Sequence, residues 1–347
     1  MTTIPVRASK QYNVLIGDGL IRKLSSLISD ICLSKKIAVI TDNIVDRLYA
    51  DQVNTNLTDH GYSVVRYVFP NGEDSKNITT FASILEFLAE NDFKRNDTLI
   101  ALGGGVVGDI TGFAASVYMR GIDFIQIPTT LLAAVDASVG GKTAVDLSAG
   151  KNLAGTFWQP RIVICDSAII HSLPFDIFGN GMAEVIKHGV INGTDILHSI
   201  ENDGVMDNLE WVLKRNVEIK RDVVENDERE NGIRRFLNFG HTIAHAIEKA
   251  SDYSIPHGIA VGTGMVYEAK IAYSLGMCGS ELVERIKSCC QKYQLHHEIK
   301  VNKELVSLMK HDKKNKDDNI VFALPESIGK MKIIKLSQED ILQLMNV

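Results

Sequence analysis

Apolar residues follow two rhythms along the 347-residue chain, and the rhythm changes near its middle. In the first half, short runs rich in Val and Ile, namely KIAVITD (36–42), YSVVRYVF (62–69), DTLIALGG (97–104), FIQIP (124–128) and RIVICD (161–166), read as buried strands. Segments with helical spacing such as TTFASILEFLAEND lie between them, so the pattern predicts βαβ units with helices covering both faces of a parallel sheet. Beyond about residue 170 the strand signals become rare. DNLEWVLKRNVEIKRDVVEND and GIAVGTGMVYEAKIAYSLG place apolar residues at helical spacing. The expected organisation is an α/β domain with a parallel sheet over residues 1–170 and a mainly α-helical domain over 171–347. There is no internal repeat, and the charge run HDKKNKDDN (311–319) reads as a solvated loop.

Composition narrows the function classes. Hydrophobic residues make up 45% and charged residues 23%, with a net charge of -6, so nucleic-acid binding is not expected and any anion site must be local. No run approaches the ~18 apolar residues of a membrane helix, and MTTIPVRASK lacks the apolar core of a signal peptide, so a cytoplasmic protein is expected. The five cysteines (Cys32, Cys165, Cys278, Cys289, Cys290) contain no CxxC pair and read as reduced, mostly buried thiols.

GGGVVGD (103–109) follows a strand and precedes the helical pattern ITGFAASVYM, so backbone N–H groups at a helix start can face a pyrophosphate. The run satisfies G-x-G-x-x-G, but it belongs to the third strand rather than the first. The acidic residue expected ~20 positions on would be Asp123, at the start of a strand. Asp42 closes the first strand, where a carboxylate can accept hydrogen bonds from an adenosine ribose. VDASVGGKTAVD (135–146) has the GGKT of a Walker A loop yet Asp136 where the first glycine belongs, which argues against a P-loop and leaves Lys142 as a point charge for phosphate.

RRFLNFGHTIAHAIEKASDYSIPHG (234–258) sets a different problem. If helical, it aligns Arg234, Asn238, His241 and His245 on one face at i, i+4, i+7 and i+11. Gly240 would cost a helix ~1 kcal/mol, which favours a helix beginning there with Arg234 and Asn238 on its approach. Burying such groups unpaired costs roughly 1 to 3 kcal/mol each, whereas a shared ligand satisfies them together. The two-histidine spacing lacks the Glu of H-E-x-x-H, so a zinc protease is disfavoured. Glu184 in GMAEVIKHG offers an acidic ligand, and His241, His245, His257 and His188 remain alternative imidazole ligands on sequence alone.

Taken together, GGGVVGD, YMRGIDFIQIPTTLLAAVDASVGGKTAVD, GKNLAGTFWQP, GMAEVIKHG, NFGHTIAHA and the later PHG closely resemble the 3-dehydroquinate synthase family of sugar-phosphate cyclases. The match is collinear from YNVLIGDGL to LPESIG. It implies a Rossmann-like NAD-binding domain, a helical C-terminal domain and a site in the cleft between them. The implied reaction converts 3-deoxy-D-arabino-heptulosonate 7-phosphate to 3-dehydroquinate and phosphate, by transient NAD-dependent oxidation, phosphate elimination, re-reduction and intramolecular aldol closure.

The resemblance also implies roles. Glu184, His241 and His257 would hold zinc or cobalt, with His245 facing substrate. Arg234 and Lys220 would take the substrate carboxylate, and Lys142, Asn238, His245 and a lysine of DKKN, Lys314 in preference to Lys313, the phosphate. Asp136, Lys187, Asn152 and Glu230 would hold hydroxyls. For NAD it adds Glu73, Lys76, Thr129, Thr130 and Lys151 to Asp42 and the turn residues Gly104, Gly105, Val106 and Asp109, with Lys142 nearby. Ile44 departs from the family, which often has a polar residue there. Arg120 resembles a residue that reaches the neighbouring subunit's phosphate site, so a homodimer is expected. His188 is not carried over and reads as a structural or rim histidine.

Three rivals define the test. Another sugar-phosphate cyclase would act on a substrate without the carboxylate that Arg234 anticipates. A metal-dependent polyol dehydrogenase of the glycerol dehydrogenase type would accumulate NADH, and the cations Lys142, Lys151, Lys187 and Arg234 disfavour its neutral substrate. A regulatory NAD-binding protein would have no use for the metal and anion sets.

Overall fold

The structure, a computed structural model, describes residues 1–299, 301–309 and 319–345. The chain divides into two compact units, Met1–Leu173 and Pro174–Val347.

The first unit is built on a seven-stranded sheet. Its strands are β1 (Thr2–Arg7), β2 (Gln11–Gly17), β3 (Lys36–Asp42), β4 (Ser63–Phe69), β5 (Thr98–Gly103), β6 (Asp123–Pro128) and β9 (Ile162–Asp166), in the order β1-β2-β9-β6-β5-β3-β4. Every pairing is parallel except that of β1 with β2. Because side chains alternate along a strand, the apolar runs feed two cores at once. Ile37, Val39, Ile100 and Leu102 point to one face with Leu24, Ile28, Val53 and Leu57. Ala38, Ile40, Leu99 and Ala101 point to the other, beneath helices α1 (Ile78–Glu90) and α2 (Gly105–Val117). A small hairpin, β7 (Lys142–Leu147) with β8 (Gly150–Phe157), completes the unit.

The second unit contains α3 (Phe175–Asn192), α4 (Leu209–Asn226), α5 (His241–Ala250), α6 (His257–Ser274) and α7 (Ser280–Lys292), with a two-stranded antiparallel sheet of β10 (Ile320–Ser327) and β11 (Lys330–Leu336). Among the described residues α6 is buried over most of its length. Three of its glycines lie against the backbone of other elements: a Cβ would sit 2.1 Å from Asn180 O at Gly258, 2.3 Å from Leu295 O at Gly262, and 2.0 Å from Gly240 O at Gly264.

The polar stripe is not one helix. Ile233–Asn238 is a 3₁₀ segment, and α5 begins at His241 after Gly240, which has φ 83°. Burial raises the pKa of the Cys165 thiol to about 12 and of Cys289 to about 11. No described helix is long and apolar enough to cross a membrane.

Candidate active site and metal centre

The first unit gathers polar groups at the carboxyl ends of its parallel strands, the edge where open α/β sheets take ligands. Asp42 ends β3, and its Oδ1 accepts the N–H groups of Ile44 (2.9 Å) and Val45 (3.0 Å). Gly103 ends β5, and α2 starts at Gly105 and Val106 with Gly104 as an N-cap that supplies no side chain. The first-turn N–H groups of α2 thus lack a side-chain cap, as pyrophosphate binding requires. A Cβ on Gly104 would press on Thr130 Cγ2 at 3.2 Å. After β6, Thr129 donates its N–H to Gly103 O at 2.9 Å, while its buried hydroxyl has no hydrogen-bond partner among the described residues.

A charged cluster lies beside these groups. Lys76, 5% exposed, donates to Asn152 Oδ1 at 2.6 Å and pairs with Asp109 at 2.6 Å; Glu73 is 4.0 Å away and itself 3.8 Å from Lys151. Burial pulls the Lys76 pKa down, but Asp109 and Glu73 outweigh it and the net shift is upward. Asp146 in β7 donates its N–H to Lys76 O at 2.7 Å and accepts the N–H of Asn152 at 2.6 Å, holding Asn152 at φ 53°. Asp136 is half-buried in the turn Ala133–Ala137, Lys142 is exposed at the start of β7, and Arg120 is exposed with φ 63°.

In the second unit three ligand-type side chains converge. One donor atom each from Glu184 on α3, His241 at the start of α5 and His257 at the start of α6 lies within 4.8 Å of the others. Both Nε2 atoms are 3.6 Å from Glu184 Oε1. The opposite ring nitrogens are held from behind, His241 Nδ1 by Phe239 O and His257 Nδ1 by Glu248 Oε1, each at 3.2 Å. Such partners fix tautomer and ring orientation in metal sites.

The group fits a divalent zinc or cobalt ion. Glu184 is 1% exposed and neither carboxylate oxygen has a well-formed hydrogen bond among the described residues, although the Lys187 ammonium pairs with Oε2. One oxygen and two imidazole nitrogens are a common catalytic zinc set that leaves a position for substrate. Burial opposes charge on Glu184, but Lys187 and His257 overcome it and hold its pKa at about 2.

Around this centre the expected polar residues occupy distinct settings. His245 is exposed one turn along α5, its ring centroid 5.7 Å from that of His241. Arg234 is 2% exposed and donates from Nη1 to Glu228 O. Asn238 donates to Glu230 Oε1 at 2.7 Å, and Lys187 on α3 and Lys220 on α4 are buried. His188 is fully buried with Nδ1 3.0 Å from Asn216 Oδ1, which gives it a structural place rather than one on a rim. Lys313 and Lys314 lie outside the described residues.

Sequence reasoning missed four carboxylates that organise these groups: Asp146, which accepts the N–H of Asn152, Asp227, which accepts that of Arg234, Glu248 behind His257, and Glu268, which accepts the N–H of Gly240. Glu248 had a signal, since it lies seven residues after His241 and so returns to the same helical face.

Residues 66–180 match the family model for the N-terminal part of 3-dehydroquinate synthase, and residues 181–315 match that for its C-terminal part. The 3-dehydroquinate synthase of Thermodesulfovibrio yellowstonii is 43% identical over 97% of this chain and 97% of its own. Among solved structures, a 2-deoxy-scyllo-inosose synthase complexed with carbaglucose-6-phosphate, NAD+ and Co2+ superposes with a TM-score of 0.90 at 27% identity, covering 99% of both chains. The 2-epi-5-epi-valiolone synthase of Streptomyces hygroscopicus, with NAD+ and Zn2+ bound, has the same fold, with a TM-score of 0.88 at 24% identity over 99% of this chain and 98% of its own.

Proposed function

The chain belongs to the 3-dehydroquinate synthase family, and from that premise we propose how its side chains divide the work of converting 3-deoxy-D-arabino-heptulosonate 7-phosphate into 3-dehydroquinate and phosphate. It is a phosphate-eliminating lyase that uses NAD and a divalent metal, zinc or cobalt. The observation that carries the assignment is Glu184 Oε1 lying 3.6 Å from the Nε2 atoms of both His241 and His257.

The first unit, Met1–Leu173, holds NAD; the second, from Pro174, holds metal and substrate. Asp42 takes the adenosine ribose, and the N–H groups of Gly104, Gly105 and Val106 take the pyrophosphate. Glu73, Lys76, Asp109, Thr129, Thr130, Lys142 and Lys151 complete that pocket. When bound, NAD supplies a reversible hydride acceptor and the metal supplies Lewis acidity at the alcohol oxygen.

Glu184, His241 and His257 hold the metal. Arg234 and Lys220 receive the substrate carboxylate, a planar anion suited to a guanidinium fork. Lys142, Asn238, His245 and Lys314 bind the phosphate, and Asp136, Lys187, Asn152 and Glu230 bind hydroxyls. The substrate phosphate accepts the proton lost from carbon, so no strong protein base is required; His245 relays protons. In a homodimer Arg120 reaches the neighbouring protomer's phosphate site. We expect no nucleic-acid partner, since a net charge of -6 gives no chain-wide cationic surface.

The test is phosphate release from the heptulosonate phosphate with catalytic NAD and added zinc, with NADH absorbance followed in the same cuvette. Release abolished by a chelator without NADH build-up is the expected result. Release with a carboxylate-free sugar phosphate alone would indicate a different cyclase. Steady NADH formation from glycerol without phosphate release would move the chain to the polyol dehydrogenases.

A further inference from the structure

Glu268 lies on α6, eleven residues after His257, and is fully buried. Its Oε2 accepts the N–H of Gly240 at 2.7 Å and its Oε1 that of Ile243 at 3.3 Å. These are donors at the N-terminal turn of α5, the turn that carries His241. A helix start ordinarily takes such a cap from its own Ser, Thr, Asp or Asn. Here that is sterically barred, because a Cβ on Gly240 would lie 2.6 Å from Met265 Cγ and 2.9 Å from Val261 O, and φ there is 83°. The cap is borrowed from α6 instead.

The arrangement ties both imidazoles to one element. α6 carries His257 as its first residue, and through Glu268 it captures the backbone on either side of His241. Gly264 adds a second fixed point, since a Cβ there would sit 2.0 Å from Gly240 O. The carbonyl of Phe239, which faces His241 Nδ1 at 3.2 Å, immediately precedes the captured Gly240 N–H, so a slip of that turn would move both the ring and its support.

We propose that Glu268 is a positioning residue of the metal centre, setting the distance between the Nε2 atoms of His241 and His257 by fixing where α5 begins on α6. The proposal rests on the metal reading given above.

The experiment is a Co2+ titration of the metal-free full chain and of Glu268→Gln, followed by the cobalt visible spectrum, with NAD affinity and steady-state kinetics measured beside it. Gln keeps the volume but turns an amide NH2 toward one of the two N–H donors. The expected result is a changed cobalt spectrum, a Kd for Co2+ raised by about tenfold and a lower kcat, with NAD affinity and KM little altered. Glu268→Asp keeps the charge one methylene short and should give an intermediate spectrum. A spectrum and Kd identical to wild type in either soluble variant would overturn the proposal. So would failure of both variants to fold, since the carboxylate would then hold the whole unit rather than the site. A wild-type chain that takes up no Co2+ would sink the metal assignment, and this proposal with it.

Discussion

The carboxylate of Asp227 accepts the backbone N–H of Arg234 at 3.0 Å. The same carboxylate takes the N–H groups of Asn231 (2.9 Å) and Gly232 (2.7 Å), so the loop presenting Glu230 and Arg234 is wound around one side chain. Burial alone would raise the Asp227 pKa, but these three N–H groups and the Arg234 charge outweigh it and hold it below the usual 3.8. A depressed folded pKa gives stability that is present above the unfolded value and lost as pH falls through the folded one. Asp227→Asn should therefore flatten the acid side of the melting-temperature profile below about pH 4. It should also raise KM for the heptulosonate phosphate by about tenfold with Co2+ affinity unchanged.

Arg234 itself is expected to discriminate substrates. Arg234→Ala should lower kcat/KM for the carboxylated substrate by about 10² to 10³. Measured turnover at the wild-type level would show that the guanidinium does not meet the carboxylate.

Lys76 joins α2 to the β7–β8 hairpin through Asp109 and Asn152. Its pKa is raised above 10.5, burial notwithstanding, so the stability it adds is present below that value and lost as pH rises through the folded one. Lys76→Met should destabilise the chain by about 3 kcal/mol in urea titrations at pH 7. NAD affinity should fall as well, because Lys76 and its partner Asp109 both belong to the proposed NAD pocket.

Chelation should abolish phosphate release, and zinc or cobalt should restore it. At a free metal concentration about 100-fold above Kd, the bound ion adds ~2.7 kcal/mol of stability. The check is a melting temperature that rises with zinc in wild type and does not move in His241→Ala.

Much of the fold was legible because buried parallel strands write uninterrupted apolar runs. KIAVITD and RIVICD matched β3 and β9 closely for that reason. The β1–β2 pair went unread: TTIPVR is short, contains a proline and buries only alternate residues. The β7–β8 hairpin was missed because its second strand has no fully buried residue. Gly240 announced the true start of α5, but which histidines gather around Glu184 depends on contacts between α3, α5 and α6 that local spacing does not encode. Asp123 illustrates the converse, since at the start of β6 it pairs with Lys10 at 2.6 Å and Arg161 at 3.5 Å.

The three backbone-packed glycines of α6 bear on how the second unit assembles. Relative to alanine the two interior ones, Gly262 and Gly264, cost the isolated helix roughly 2 kcal/mol, so α6 is a poor autonomous helix that gains its structure by docking against Asn180, Leu295 and Gly240. The position of His257 is therefore tied to the packing of α6 against α3, the turn before α5 and the chain at Leu295. Hydrogen exchange along α6 should therefore report global opening rather than local fraying.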